Sequence, residues 1–192
     1  MGLSIPLWPT AFVIPLGLCF YYFLLAGSRT FEIDAADDLG SGIAQVSFCG
    51  TGTLATILLG YRAEVSLWNA LGGAALMALA LVLYEWARRT IAGRRFRIAW
   101  NGEVPEALCE AGPYRYLRHP LYTSYLVAFA AQLAAVPSLW TVLIFLCNLG
   151  LFVHAALHDE RSLAHSDLAE AYAGYRRRVG MFWPRPGRKP AA

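Results

Sequence analysis

Apolar residues fall in five long runs along this chain: Ile5–Ala26, Ile43–Leu59, Val65–Trp86, Leu121–Val136 and Leu139–Leu157. A helix that crosses a bilayer needs roughly 20 apolar residues. The second run is polar and glycine-rich, and the fourth is short. The pattern predicts an all-α, polytopic integral membrane protein with about five transmembrane helices. In the second run, small residues form two ridges: Ser47, Thr51, Ala55 and Gly52, Thr56, Gly60. That spacing lets membrane helices approach closely, so the run reads as an internal helix of the bundle; a re-entrant or cofactor-lining segment is the lesser alternative. The fourth and fifth runs meet at Val136-Pro137-Ser138, which leaves room only for a tight helical hairpin. With the turn near Pro137, the residue opposite Arg118 is near Leu157. Asp159 and Glu160 therefore return to the level of the stretch from Arg115 to His119. Beyond Glu160 the pattern stays helical: Leu168, Tyr172, Tyr175 and Val179 share one face at helical spacing. Met181-Phe182-Trp183-Pro184 ends that amphipathic helix, and residues 186–192 read as a disordered tail.

Composition agrees. Of 192 residues, 57% are hydrophobic and only 15% charged, against about 25% charged in soluble proteins. Mean hydropathy is +0.44. No separate soluble domain fits in the remainder, so residues 1–192 read as one membrane domain. The N-terminus has no basic region of the kind that opens a cleavable signal peptide. Pro6 stands where a myristoylation signal has Ser or Thr, so the first run is expected to be retained.

Charge placement sets the expected orientation. Of 16 Lys and Arg residues, seven lie from Arg88 to Arg118, seven from Arg161 to Lys189, and one at Arg29; Arg62 stands alone between the second and third runs. Five spans put fifteen on one side. The positive-inside rule then places the C-terminus in the cytosol and the N-terminus outside. The basic surface is better explained by topology and anionic lipid than by nucleic acid. High Ala and Arg content hints at a prokaryotic plasma membrane.

The chemistry concentrates in Gly112-Pro113-Tyr114-Arg115-Tyr116-Leu117-Arg118-His119-Pro120-Leu121-Tyr122. Proline suits the first position of a helix and pushes its predecessor out of the α region. Pro120 should therefore open the fourth run, with His119 at its cap. Helix N-termini carry free N–H groups and partial positive charge. Together with Arg118 and His119 they make a corner fit for an anion or carboxylate at the bilayer edge. The hairpin base thus gathers cations, the carboxylates Asp159 and Glu160, and Tyr114, Tyr116 and Tyr122. Charges at such depth are functional candidates. An ion pair that merely staples the hairpin carries about equal weight on these residues alone. Cys19, Cys49, Cys109 and Cys147 lack CxxC spacing and read as small buried hydrophobes. His154 and His158 sit four apart, but without a clear third ligand they are expected to pack or hydrogen-bond, and no metal is expected. Asn148 reads as an interhelical hydrogen-bond donor or a pocket residue.

This segment resembles the integral-membrane methyltransferases that include isoprenylcysteine carboxyl methyltransferase and the phospholipid methyltransferases. Asp159-Glu160 with Leu163, then Tyr172, Tyr175, Val179 and Pro184, extend the likeness downstream, and Trp86-Ala87-Arg88-Arg89 with Gly93 and Phe96 extend it upstream. It covers roughly residues 75–185. Ser124, Asp159 and Leu168-Ala169 stand where the family usually has Gly, Glu and Phe-Gly. The resemblance implies S-adenosylmethionine as methyl donor and an amphiphilic, lipid-like or prenylated acceptor. It implies that Arg118 and Glu160 line the reacting centre, and that Tyr114, Tyr116, His119, Pro120, Tyr122, Asp159 and Glu160 bind the donor. The helix N-terminus with His119 or Arg118 suits a carboxylate. Asp159 or Glu160 suits an ammonium or ribose hydroxyls, and aromatic faces suit a sulfonium. Two rival readings are an NADPH-dependent sterol-reductase-like membrane enzyme and a non-enzymatic membrane scaffold.

Overall fold

The computed structural model describes residues 65–92 and 107–185, together with residues 50, 52–54 and 56–58. The first apolar run and residues 186–192 lie outside the described residues. Four α-helices follow one another: α1 (Leu67–Ile91), α2 (Pro120–Ala135), α3 (Leu139–Ala164) and α4 (Ala169–Arg178), with a short 3-10 turn, Gly112–Arg115, ahead of α2. These are the third, fourth and fifth apolar runs and the C-terminal amphipathic helix.

The helix starts are fixed by local chemistry. Ser66 caps α1 by accepting from the Asn69 N–H at 3.2 Å. Pro120 is the first residue of α2, and His119 is its cap residue, with no capping bond from its side chain. At α3, Ser138 and Thr141 form a reciprocal capping box, and Thr141 Oγ1 also donates to the Val136 carbonyl at 2.7 Å. One threonine therefore closes the hairpin turn from both sides. Three orphan groups at the helix ends are satisfied by two side chains.

Packing follows from the small and aromatic residues. Met77, Ala80 and Tyr84 of α1 pack on Ala128 and Ala131 of α2. On its other side α2 sets Tyr122, Leu126 and Phe129 against Phe152, Ala155 and Ala156 of α3. The outer faces are apolar: Trp68, Leu71, Leu79 and Val82 on α1, and Leu139, Trp140, Leu143 and Leu146 on α3, are exposed. Polar residues are inside: Thr53, Thr56, Gln132 and Asn148 are buried. Apolar surface outside and hydrogen-bonded polar groups inside is the arrangement that hydrocarbon favours, because lipid satisfies no polar group. The helices α1 and α3 are long and apolar enough to cross a membrane.

The described residues of the second run are helical and pack into this bundle. Gln132 Nε2 donates to Thr53 Oγ1 at 3.1 Å, and Thr56 Oγ1 lies 3.1 Å from Gln132 Oε1, to which it donates. A Cβ on Gly52 would come within 3.1 Å of Ile144 Cγ2 on α3. The ridge of Gly52 and Thr56 thus permits close approach to both α2 and α3.

Two expectations need correction. The helical pattern beyond Glu160 is not continuous: α3 ends at Ala164 and α4 starts at Ala169. Ser166 explains the break. Its hydroxyl donates to the Leu163 carbonyl at 2.8 Å and accepts from the Leu168 N–H at 3.2 Å. Such local bonds compete with helix propagation. The turn lets Tyr172, Tyr175 and Val179 form a cluster with Leu108 and Leu163. Cysteine burial also divides: Cys109 is buried, but Cys147 is exposed, on the apolar outer face of α3 beside Leu143 and Leu146.

Candidate active site at the base of the hairpin

The hairpin brings Asp159 and Glu160 to the Arg-His-Pro corner. Arg118 Nε donates to Glu160 Oε1 at 2.8 Å, and its terminal Nη2 reaches the same oxygen at 2.8 Å. Both side chains are nearly withdrawn from solvent, at 6% and 4% exposure. A pair this deep holds only if charges and donors are closely matched. Two more side chains stand around it: His119 Nε2 lies 3.4 Å from Glu160 Oε1, and the Arg176 guanidinium Nε lies 3.4 Å from Glu160 Oε2. Tyr122, one turn into α2, donates its hydroxyl to Asp159 Oδ2 at 3.0 Å. The His119 ring stacks on Tyr122 at 5.5 Å, with planes 5° apart. Tyr122 packs on Phe152, which stacks on Tyr125. A polar corner therefore sits at the end of an aromatic file that runs into the bundle.

The C-terminal segment completes the corner. The N–H groups of Arg118 and His119 donate to the carbonyls of Gly180 at 2.8 Å and Met181 at 3.2 Å. Arg118 Nη1 donates to the carbonyls of Val179 at 2.5 Å and Arg176 at 3.3 Å, so it also satisfies the negative end of α4. Phe182 leans on the His119 ring at 6.1 Å. A Cβ at Gly180 would overlap the Trp183 carbonyl, which is why the strap from Val179 to Trp183 can fold tightly here only with glycine. Tyr175 ties α4 down from below: its hydroxyl donates to the carbonyls of Tyr114 at 2.7 Å and Leu117 at 3.3 Å. Burial raises Tyr172 and Tyr175 above the ordinary phenol value, so both remain neutral hydroxyl donors at physiological pH.

The residues expected at the site therefore divide. Arg118, His119, Pro120, Tyr122, Asp159 and Glu160 converge on the corner. The Tyr114 ring packs with Ala87, Ile91 and Cys109. Gly112, at φ +54°, allows this seating; a Cβ there would strike Thr90 and come close to Trp86. Tyr116 is exposed and lies on Trp86 at 6.4 Å. His154 and His158 are exposed on α3, and Asn148 donates to the Ile144 carbonyl of its own helix at 2.8 Å. Sequence reasoning missed Arg176 as a partner of Glu160. The available signal was its position four residues after Tyr172, on the same helical face.

Three buried atoms crowd the pair without a well-formed hydrogen bond: His119 Nε2, Glu160 Oε2 and Tyr172 Oη, the first two at 3.4 Å from Glu160 Oε1 and Arg176 Nε. Buried polar atoms are nearly always bonded. Their convergence on one carboxylate leaves hydrogen-bonding capacity unused at this corner.

Residues 68–166 match the phospholipid methyltransferase family. That stretch covers α1 through the end of α3 and includes Arg118, His119, Asp159 and Glu160, while α4 and the strap lie beyond it. The chain belongs to this family. It is also similar to a methanethiol S-methyltransferase of Pseudomonas sp. (strain GM41(2012)), with 33% identity over 91 residues. The match takes in 45% of this chain, and the chain spans about a third (33%) of the length of that curated relative.

Proposed function

We propose that this chain is an integral-membrane, S-adenosylmethionine-dependent methyltransferase acting on a lipid-like or otherwise amphiphilic acceptor. The observation that carries the reading is the buried Arg118–Glu160 pair with His119 and Arg176 set around it. Family membership supports methyl transfer as the chemistry. The residues present fit the donor. His119 Nε2 and the first-turn N–H groups of α2 suit its carboxylate. Asp159, Glu160 Oε2 and the Tyr172 hydroxyl suit its ammonium and ribose hydroxyls, and the Tyr122 face suits its sulfonium. When bound, S-adenosylmethionine supplies an electrophilic methyl group that needs no redox partner.

The chain's own residues then have positioning roles. Arg118 is always charged, so it orients an anionic group without giving or taking a proton. Glu160 holds Arg118 in place and presents its second oxygen to the ligand. Asp159 fixes the Tyr122 hydroxyl, and Pro120 sets the start of α2. Methyl transfer depends chiefly on in-line placement, which can supply a large part of the rate. The acceptor enters sideways from lipid between the helices. The name of the curated relative adds small thiols as a second acceptor class to test.

In this reading residues 1–192 form one domain of five spans, with its core at residues 75–185 and its C-terminus in the cytosol of a prokaryotic cell. The lopsided basic residues support that orientation. One observation favours a purely structural role for the corner: Arg118 also bonds to the carbonyls at the end of α4. Calorimetry of the detergent-purified protein with S-adenosylmethionine, its demethylated product and NADPH tests the proposal. Binding of the first two supports it. Binding of NADPH alone points to a sterol-reductase-like enzyme, and no binding points to a scaffold.

A further inference from the structure

A cleft opens one helical turn beyond Glu160, between the end of α3, α4 and Arg185. It has a volume of about 370 Å³. Ala164, Ala169 and Ala173 with the Tyr172 side chain form its floor, and Arg176, Arg177 and Arg185 line its rim. Arg185 is not loose: its Nη1 donates to the Arg177 carbonyl at 2.9 Å, which fixes the side chain across the end of α4. Tyr172 and Arg176 are shared with the Glu160 corner; Arg177 and Arg185 are the cations that the cleft adds.

The tryptophans give the cleft a level. Trp68 and Trp140 are exposed near the starts of α1 and α3, at the end of the bundle away from Glu160. Trp86 and Trp183 are exposed at the other end; Trp86 meets Tyr116, and Trp183 closes the strap. Along α1 the two levels are about 27 Å apart at 1.5 Å per residue, close to the roughly 30 Å of a bilayer core. Exposed tryptophans prefer the interface. Ala164 lies about 6 Å beyond Glu160 along α3, so the cleft sits where phospholipid phosphates are.

We propose that this cleft holds the phosphate of an anionic phospholipid from the surrounding bilayer, gripped by Arg177 and Arg185. Guanidinium forks match phosphate oxygens in two-point contacts. The alanine floor receives the ester-linked part of the lipid, and the basic rim rejects no anionic headgroup. A zwitterionic headgroup brings its own cation against the arginines and is disfavoured. The inference rests on the proposed membrane placement but not on the methyl donor.

Native mass spectrometry of the full chain in detergent, titrated with phosphatidylglycerol and with phosphatidylcholine of the same acyl chains, reads the selectivity. Wild type should prefer phosphatidylglycerol roughly 10- to 30-fold, the effect of two arginines at a membrane surface. The double variant Arg177→Gln/Arg185→Gln should fall to within about threefold, and Arg177→Lys/Arg185→Lys should fall in between, since charge remains but the two-point fork is lost. A wild type without preference, or a Gln variant that keeps it, overturns the proposal. So does displacement of the lipid by millimolar inorganic phosphate, which would mark a soluble-anion site, or by S-adenosylmethionine, which would make the cleft part of the donor site. Donor affinity measured on the same Gln variant should be unchanged. A protein that selects phosphatidylglycerol yet never binds S-adenosylmethionine keeps this inference and loses the proposed function.

Discussion

Arg118 and Glu160, 42 residues apart in sequence, meet in a buried ion pair at 2.8 Å across the α2–α3 hairpin. The pair links the opening of one helix to the close of the next. It is therefore the point at which binding, folding and catalysis can be separated by substitution.

Glu160→Gln should weaken S-adenosylmethionine binding about tenfold or more, the loss of one charge-assisted hydrogen bond of roughly 1.5–3 kcal/mol. His119→Ala should do the same, because it removes Nε2 from the corner. Calorimetry on variants that keep the wild-type melting profile is the check. Unchanged affinity in both would remove Glu160 and His119 from the donor site.

Arg118→Lys keeps charge but loses the fork that now serves Glu160 and the carbonyls of Val179 and Arg176. If Arg118 orients the acceptor, turnover should fall sharply while donor affinity stays close to wild type. A fall in both assigns it to the donor, and near-normal turnover makes it a structural anchor. Methyl transfer and donor affinity measured on this one variant distinguish the three.

Tyr175→Phe leaves the Tyr114 and Leu117 carbonyls without their donor. Stability should fall by roughly 1–2 kcal/mol, read as a lower melting temperature. The companion change Gly180→Ala must push the Trp183 backbone aside. It should therefore loosen the strap and lower donor affinity, a separate readout from Tyr175→Phe.

Orientation is open to direct labelling. In a background without native cysteines, single cysteines at Ser138 and Ala192 should react from opposite sides of the membrane. Labelling of both from one side would contradict the five-span placement.

The hairpin was legible in sequence because Pro137 and the capping serine leave no other way to join two apolar runs, and counting residues along two antiparallel helices is enough to bring Asp159 and Glu160 back to Arg118. Pro120 and His119 were legible because proline's geometry is local. The turn at Ser166 was not: a hydroxyl that ends a helix by bonding to its neighbours looks, in a one-dimensional pattern, like any polar position on a helical face. Arg176 stood out only as one of the seven cations from Arg161 to Lys189, because its meeting with Glu160 depends on that turn. Tyr114 and Tyr116 stand within a few residues of Arg118, yet the 3-10 turn at Gly112 sends one ring into the core and the other onto Trp86. Nearness in sequence says little about direction where the backbone changes course at each residue.

The strap has a consequence for how the protein comes into being. Val179, whose carbonyl accepts from the Arg118 side chain, follows it by 61 residues, and Gly180 and Met181 carry the acceptors for the backbone of Arg118 and His119. Chains emerge from the ribosome N-terminus first, and domains fold as units. The helices of the bundle can thus enter the membrane and pair while the corner still lacks one wall. On the proposed reading, competence for the methyl donor is acquired only after residue 181 has been made. A nascent chain stalled before that point would then be inserted and helical but unable to hold the donor.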